Sequence, residues 1–258
     1  AGLFNISTAA AFVVAAAGGN VAKHGNRSVS STTGSADVLE AAGVALNLTP
    51  EAVARCIHRT GVGFIFAPSF HSAMKHAIGV RREMGVRTMF NLLGPLTNPA
   101  GATRQIIGVF DPHWMRPVAQ VLMHLGAEHV MVVHSDDGLD EISINARTQY
   151  AELKDGQIRT GTISPMALDI QGGPIEALQA KTALDSLSLI RGALANREGP
   201  AREIVIINAA AALYVAGLAE DMLSGVRLAR ETVQLGKAAN KLDELAHLSQ
   251  SLAVPATG

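Results

Sequence analysis

Residues 23–37 form a polar segment whose side chains suit the binding of phosphate. The segment reads KHGNRSVSSTTGSAD and holds six hydroxyl side chains and two glycines within fifteen residues. Lys23, His24 and Arg27 can supply positive charge, and hydroxyl groups and backbone N–H groups donate short hydrogen bonds to anionic oxygens. An ordinary solvated loop can have the same composition. The phosphate hypothesis therefore depends on the rest of the sequence.

A second group of polar side chains stands at the start of a predicted helix. Asn5, Ser7 and Thr8 place an amide and two hydroxyls just before a long apolar run. The free N–H groups and the dipole of a helix N-terminus favour an anion. Simple N-capping is the competing interpretation, but a cap requires only one such residue. The sequence thus predicts a second phosphate-binding element here.

An acidic turn provides candidate metal ligands. The run DDGLDE, residues 136–141, follows a strand pattern that ends at His134. Ligand sites in open α/β sheets lie at the carboxyl ends of strands. Asp140 and Glu141 offer the hard oxygen ligands that Mg²⁺ shares with water and substrate phosphates. An acidic surface turn is the alternative, and a phosphate site elsewhere in the chain favours the metal.

A cationic stretch could recognise a carboxylate. Between residues 66 and 98, His71, Lys75 and either Arg81 or Arg82 recur near helical spacing. A guanidinium can donate two parallel hydrogen bonds to a carboxylate. A solvated helix face would have the same pattern, so these residues alone do not decide between the two.

The composition limits what kind of protein can carry these sites. The chain has 258 residues, 48% of them hydrophobic, which is enough for a large core. A net charge of -1 gives no general attraction to nucleic acid or to anionic membrane. Cys56 is the single cysteine, and no apolar run approaches the ~20 residues of a membrane span. We therefore expect a cytoplasmic protein with neither nucleic acid nor a membrane as its partner.

Helix and strand patterns alternate around the polar segment. The predicted elements are helices over residues 6–18, 38–46 and 50–60 and a strand over residues 21–23. Ser7 or Thr8 is expected to cap the first helix. Ser35 or Asp37 would cap the second helix, and Thr49 the third.

The remaining pattern predicts an α/β fold with a mostly parallel central sheet flanked by helices. Strand patterns cover residues 105–110, 129–134, 141–144, 150–153 and 157–160. A helix over residues 114–125 joins the first two strands, which is the order of a parallel βαβ unit. Asp155 and Gly156 predict a hairpin turn. Alanine-rich helices over residues 200–216, 221–235 and 238–251 are expected to serve as core and dimer scaffold.

Taken together and in this order, the motifs resemble the anthranilate phosphoribosyltransferase family. The segments that carry the resemblance are NISTAAA, KHGNRSVSSTTGSAD, FAPSFHSAMKHA, VRREMGVRTMFNLLGPLTNPA and DDGLDE. The resemblance implies transfer of the 5-phosphoribosyl group from phosphoribosyl pyrophosphate to the amine of anthranilate. It also implies a Mg²⁺ cofactor, a role in tryptophan biosynthesis and a homodimer.

The resemblance also assigns roles to individual residues. The phosphoribosyl pyrophosphate contacts would be Asn5, Ile6, Ser7, Thr8, Lys23, His24, Gly25, Asn26, Arg27, Ser28, Val29, Ser30, Ser31 and Ser35. The anthranilate contacts would be Asn26, His24, Ala67, Pro68, His71, Gly94 and, facing the carboxylate, Arg81. The metal ligands would be Ser7, Asp140 and Glu141.

No residue is expected to act covalently or as a general acid or base. The aromatic amine is already an uncharged nucleophile near neutral pH, so catalysis consists of positioning and of stabilising the separating charges. The hypothesis is direct displacement at the anomeric carbon. A ribosylated enzyme formed without anthranilate would contradict it.

The resemblance predicts two domains. Residues 1–66 and 100–258 would form the α/β catalytic domain, and residues 67–99 inserted helices of a small helical domain. The family's glycine-rich pyrophosphate turn would stand just before Ala1, so we expect the sequence to lack that turn and the first part of the small domain. Leu3 also stands where a hydroxyl residue is common in the family.

Three other interpretations stay open. A transferase-like protein of this fold that binds nucleic acid would show a basic face and would lack Asp140, Glu141 or Arg81. A pyrimidine nucleoside phosphorylase would lack the combination of KHGNR and DGLDE. An inactive remnant is the third alternative.

Overall fold

Helices and strands alternate through the first part of the chain, and helices follow. The computed structural model describes residues 2–28, 33–70, 94 and 96–253. The helices are α1 Ile6–Ala16, α2 Ser35–Ala41, α3 Pro50–Thr60, α4 Ala67–Phe70, α5 Met115–His124, α6 Ala183–Leu194, α7 Pro200–Val215, α8 Met222–Gln234 and α9 Lys237–Leu252. The strands are β1 Val21–Gly25, β2 Val62–Phe66, β3 Arg104–Gly108, β4 His129–Ser135, β5 Thr148–Lys154 and β6 Gln157–Ile163.

Helix α1 is embedded in the core. Nine of its 11 residues are buried, and none of its residues is charged. It packs against α6, α7 and α9. The expectation that Ser7 or Thr8 caps this helix is wrong, because Asn5 occupies the N-cap position and makes no side-chain cap hydrogen bond. The amide of Asn5 instead accepts a hydrogen bond from the Ser186 hydroxyl of α6, at 2.9 Å.

Strands β1 and β2 pair in parallel, from Val21 opposite Val62 to Gly25 opposite Phe66. β1 is two residues longer than the predicted strand 21–23, because its parallel partner continues the ladder. Parallel pairing brings the carboxyl ends of both strands to one edge. The polar segment leaves β1 at that edge, and α4 begins there directly after β2.

The start of helix α2 differs from the prediction. The helix begins at Ser35, with Gly34 at the N-cap position, so neither Ser35 nor Asp37 is the cap. Asp37 is the third helical residue, and its carboxylate accepts the Gly34 N–H at 2.9 Å. For α3 the prediction is confirmed: the Thr49 hydroxyl caps it by accepting the Ala52 N–H at 3.2 Å.

A second described sheet has the order β3-β4-β5-β6. β3 and β4 are parallel and joined through α5, as predicted, whereas β5 and β6 are added antiparallel. The hairpin between β5 and β6 turns at Asp155 and Gly156, both with positive φ, which confirms that turn. The α/β fold class is confirmed.

One predicted strand is absent from the described part of the chain. Residues 141–144 form no strand. The reason is visible at Ile142, whose N–H and C=O both bond the side chain of Asn208 instead of a neighbouring strand.

Helices α6 to α9 complete the fold. The predicted alanine-rich helices are confirmed, with ends that agree to within one residue, as α7, α8 and α9. α7 packs against α1 on one side and against β3 and β4 on another. The inserted helices predicted over residues 67–99 lie largely outside the described residues; α4 is described at their start. Within the described ranges, no helix combines the length and the apolar composition needed to cross a bilayer.

Candidate phosphate and metal site

Four predicted site residues from three distant segments come together. Glu141 accepts hydrogen bonds from both the backbone N–H and the hydroxyl of Ser7, at the N-terminus of α1. The charges of Lys23, in β1, and of Asp140 also act on Glu141. The structure thus brings an ammonium group, a helix N-terminus and two carboxylates close together around Glu141.

Burial shifts the pKa values of the two buried ionisable groups in this cluster. Burial, and then the charge of Asp140, raise the pKa of Glu141 to about 7, although Lys23 and the hydrogen bonds from Ser7 act in the opposite direction. Burial lowers the pKa of Lys23, and Glu141 opposes that shift. Two adjacent like charges in a partly buried position are costly unless a cation compensates them.

The donor set of the cluster fits Mg²⁺. Asp140 and Glu141 supply carboxylate oxygens and Ser7 supplies a hydroxyl. Across the described residues, no group of three or more His, Cys, Asp or Glu side chains forms a metal site. Two carboxylates suit Mg²⁺, which keeps waters and shares substrate phosphates, better than Zn²⁺, which requires three or four protein ligands.

The turn itself separates the acidic residues into two kinds. The Asp137 carboxylate accepts hydrogen bonds from the Ser135 hydroxyl and, at 2.6 Å, from the Ser143 hydroxyl. Asp136 accepts a hydrogen bond from the Gln149 amide at 2.8 Å. These two acids hold the turn in shape through hydrogen bonds in which Asp140 takes no part. The assignment of Asp140 and Glu141 as metal ligands is consistent with this division.

A glycine in β3 positions Asp140. A Cβ on Gly108 would lie 2.6 Å from the carbonyl carbon of Asp140, and closer still to its oxygen. The Asp140 backbone therefore rests directly on the end of β3, where only glycine leaves space. The sequence reasoning missed this role, although the glycine that ends the run QIIG was a visible signal.

The ends of the polar segment are tied together by Asp37. Its carboxylate accepts the N–H groups of Ser28, at 3.0 Å, and of Gly34, at 2.9 Å. A Cβ on Gly34 would lie 2.5 Å from the carbonyl oxygen of Asn26, so the backbone passes there at glycine distance. Residues 29–32, which include the predicted contacts Val29, Ser30 and Ser31, lie outside the described residues.

Arg27 is engaged within this segment. Its guanidinium donates two hydrogen bonds to Glu40, at 2.6 and 2.8 Å, and one to Asp37, at 3.2 Å. It also stands over the Phe66 ring, 5.8 Å from the centroid. These contacts give Arg27 a role in shaping the segment, and its predicted contact with phosphate stays a prediction.

Removal of the Asp37 carboxylate should destabilise the protein. We expect Asp37→Asn to lower the free energy of unfolding by about 2 kcal/mol, because two backbone N–H groups lose a charged acceptor. Burial alone would raise the pKa of Asp37, but the hydrogen bonds from Ser28, Gly34 and Arg27 lower it. The stabilisation is therefore present at neutral pH and is lost as the pH falls through the lowered pKa.

Urea unfolding of the variant and the natural protein at pH 7 and near pH 3.5 measures this effect. Glu40→Gln is the matched control, because Glu40 contacts Arg27 but caps no backbone N–H. Equal losses from the two variants would contradict the role given to Asp37.

The anion-binding end of α1 has two further features. The Thr8 hydroxyl is buried and has no hydrogen-bond partner among the described residues. Ser186 holds Asn5 through two hydrogen bonds. The Asn5 backbone N–H donates to the Ser186 hydroxyl at 3.0 Å, and that hydroxyl donates to the Asn5 Oδ1. The carbonyl side of the amide is thereby engaged, which leaves the Nδ2 donor for a ligand. Ile6 is buried beneath this end.

The predicted acceptor residues lie partly in the described structure. His24 lies in β1 and Asn26 directly follows the end of that strand, and Ala67 and Pro68 begin α4 at the end of the paired strand β2. The Gly94 carbonyl accepts the Thr97 N–H at 3.2 Å. His71 and Arg81 lie outside the described residues.

Ser35 and Gly25 meet where β1 ends. A Cβ on Gly25 would collide with the Ser35 hydroxyl and would lie 2.9 Å from the Phe64 ring. The hydroxyl of the first α2 residue therefore reaches the carboxyl end of β1, next to the predicted phosphate contacts. The structure thus brings the predicted phosphate contacts in β1 close to the predicted contact Ser35 in α2.

Sequence reasoning missed Ser186 and Asn208. Both are buried. Asn208 lies on a helix that was expected to serve as core and dimer scaffold, and Ser186 lies on α6, for which no role was predicted. Asn208 is the one polar residue within the apolar run IVIINAAAA, and this isolation was the available signal. Their partners are 181 and 66 residues away along the chain, so local patterns could not identify them.

Comparison with known proteins extends these observations. Residues 1–239 match the glycosyl transferase family, a/b domain. The chain is 59% identical over 250 residues to an anthranilate phosphoribosyltransferase of Thioalkalivibrio sulfidiphilus, covering 97% of this chain and 74% of that protein. It is 59% identical over 256 residues to the protein of the same name from Cellvibrio japonicus, covering 98% and 75% of the two chains.

Solved structures are similar as well. The crystal structure of anthranilate phosphoribosyltransferase from Thermus thermophilus superimposes with a TM-score of 0.90 at 43% identity, covering 97% of this chain and 74% of that one. The Saccharomyces cerevisiae anthranilate phosphoribosyltransferase in complex with PRPP and Mg gives a TM-score of 0.87 at 22% identity, covering 97% and 71%. The second likeness concerns the fold alone.

Proposed function

Because this chain belongs to the anthranilate phosphoribosyltransferase family, we propose that it transfers the 5-phosphoribosyl group of phosphoribosyl pyrophosphate to the amine of anthranilate. The products are N-(5-phosphoribosyl)anthranilate and pyrophosphate, and the reaction belongs to L-tryptophan biosynthesis. The observation that carries the proposal is the convergence of Ser7, Lys23, Asp140 and Glu141. A cation, a helix N-terminus and metal carboxylates in one place suit the binding of a diphosphate with its metal ion.

Asp140, Glu141 and Ser7 would hold Mg²⁺. When bound, the ion neutralises charge on the diphosphate and so assists its departure. Burial lowers the pKa of Lys23, and the charge of the Glu141 carboxylate opposes that shift. Lys23 would contact the diphosphate from the carboxyl end of β1.

The departing pyrophosphate gains negative charge as the bond to ribose breaks. Lys23 and the N-terminus of α1 are placed before the reaction to stabilise this charge, which costs no reorganisation in the transition state. Asn5, oriented by Ser186, would donate to the same group. These residues bind and orient the leaving group.

The acceptor would approach from the edge where β1 and β2 end. Asn26 would lie between the two substrates, and His24, Ala67 and Pro68 would line the path of the aromatic ring. Arg81, with His71 and Gly94, would contact the anthranilate. These contacts would orient the anthranilate amine towards the anomeric carbon, where the amine displaces pyrophosphate directly.

The proposal is tested with the protein expressed from its complete gene, by following the loss of anthranilate fluorescence with phosphoribosyl pyrophosphate and Mg²⁺. We expect turnover from the natural protein. Arg81→Ala should raise the KM for anthranilate by about ten- to a hundredfold, because a bidentate carboxylate contact is lost.

Arg82→Ala is the matched control, since it removes the same charge one residue away. An unchanged KM in Arg81→Ala would show that the carboxylate assignment is wrong. No turnover by the natural protein would show that the proposed function is wrong, and binding of DNA by the inactive protein would favour the alternative nucleic-acid-binding function.

The organisation of the whole protein is part of the same proposal. Residues 1–66 and 100–258 would form the catalytic domain, and residues 67–99 would belong to a small helical domain. The family resemblance supports a homodimer in the cytoplasm. Sedimentation velocity at micromolar concentration distinguishes a dimer from a monomer.

A further inference from the structure

Asn208 makes an unusual set of contacts for a residue in the middle of a buried helix. Its Oδ1 accepts the Ile142 N–H at 2.9 Å. Its Nδ2 donates to the Ile142 carbonyl at 2.9 Å and to the Ile204 carbonyl, one turn earlier in α7, at 2.8 Å. Acceptor and both donors of the amide are used, and two of the three bonds go to one peptide segment.

Asn208 thus replaces a neighbouring strand. An extended residue normally exchanges its N–H and C=O with a residue of the next strand, but Ile142 exchanges both with one amide side chain. Ile142 is fully buried, so water cannot substitute for these bonds. The backbone after Glu141 is therefore fixed to α7 by side-chain chemistry.

Glu141 lies between two such fixed points. On one side the Asp140 backbone rests on Gly108, at the end of β3. On the other side the backbone of Ile142 is held by Asn208. Both carboxylates therefore belong to a segment whose backbone is held at its two ends.

We propose that Asn208 is a positioning residue for the metal carboxylates: its amide fixes the Ile142 peptide and so sets where Asp140 and Glu141 hold the metal–diphosphate unit. This inference rests on the proposed function. Residues that orient metal ligands without touching the metal typically contribute ten- to a hundredfold to its affinity. Asn208 thus connects the segment that carries the two carboxylates to α7, and α7 also packs against α1.

The test measures Mn²⁺ binding in the presence of pyrophosphate, by electron paramagnetic resonance of the free ion, beside steady-state kinetics. We expect Asn208→Leu to weaken Mn²⁺ binding by about tenfold or more. The kcat/KM for phosphoribosyl pyrophosphate should fall by a similar factor, whereas the KM for anthranilate should stay within about twofold. Asn208→Ser adds no charge and keeps a hydroxyl that can donate or accept one of these hydrogen bonds, and it should show a smaller loss.

Thr232→Val is the matched control. Thr232 is equally buried, and its hydroxyl donates to the Leu228 carbonyl of its own helix at 2.8 Å. It should lower the melting temperature without changing Mn²⁺ binding. If Asn208→Leu does not fold, Asn208→Ser carries the test.

The outcomes separate the two proposals. If folded Asn208 variants bind Mn²⁺ as tightly as the natural protein and are equally active, the positioning role is wrong. Absence of Mn²⁺ binding and of activity in the natural protein would instead overturn the proposed function.

Discussion

Glu141→Gln should lower the kcat/KM for phosphoribosyl pyrophosphate by on the order of a hundredfold or more, and should stabilise the metal-free protein above pH 7. The first effect follows from the loss of a charged metal ligand. The second follows from the cost of ionising Glu141, because burial and the neighbouring Asp140 raise its pKa to about 7.

The pH dependence has a defined sign. In the unfolded chain the pKa of the Glu141 carboxyl lies near its ordinary value of 4.5, whereas in the folded protein the pKa is raised to about 7. Between these values the folded state binds more protons, so this group's stabilisation is complete below the lower value and is lost as the pH rises to the upper one. Glutamine does not titrate, so the variant should not show this loss.

Thermal unfolding of both proteins without Mg²⁺, at intervals from pH 5 to pH 8.5, measures the difference. Asp136→Asn is the matched control, because it removes an exposed acid from the same turn. Parallel pH profiles for the natural protein and Glu141→Gln would show that Glu141 carries no such cost. Undiminished activity would exclude it as a metal ligand.

Gly108→Ala should abolish most of the activity through a single added methyl group. The new Cβ would lie 2.6 Å from the Asp140 carbonyl carbon, so the Asp140 backbone has to move. A displacement of about 1 Å at a catalytic group can cost a hundredfold in rate. We also expect a loss of about 1–3 kcal/mol in the free energy of unfolding, as for other overpacked sites.

The control for this variant is Ile107→Val, in the same strand. It removes a buried methylene at a cost of about 1 kcal/mol and leaves Asp140 in place. Kinetics and urea unfolding of both variants separate misplacement from instability. If the two variants lose activity to the same extent, the contact between Gly108 and Asp140 does not matter for catalysis.

The sequence could predict features that depend on near neighbours. The cap at Thr49, the parallel order of β3 and β4 and the hairpin at Asp155 follow from local residue types, and the structure confirms them. The acidic turn could also be placed, because it directly follows a buried strand. In each case the residues that decide the structure lie within a few positions of one another.

The failures have a common physical cause. The start of α2 was misplaced because Asp37 bonds the N–H groups of Ser28 and Gly34, and so acts from inside the helix. The strand predicted over residues 141–144 did not form because Asn208 takes its hydrogen bonds. Both outcomes are decided by side chains that take over backbone hydrogen bonds, which residue patterns do not reveal.

The burial of α1 should affect how diphosphate binding depends on salt concentration. The helix is enclosed by protein along its sides and carries no charge, so counterions can approach it at its ends alone. At 0.1 M, dissolved salt screens the attraction between phosphate and exposed lysine or arginine side chains over distances greater than about 10 Å, whereas charges and dipoles held in a protein interior are screened far less. The part of the diphosphate affinity that comes from α1 should therefore persist in concentrated salt, where the contribution of surface cations fades.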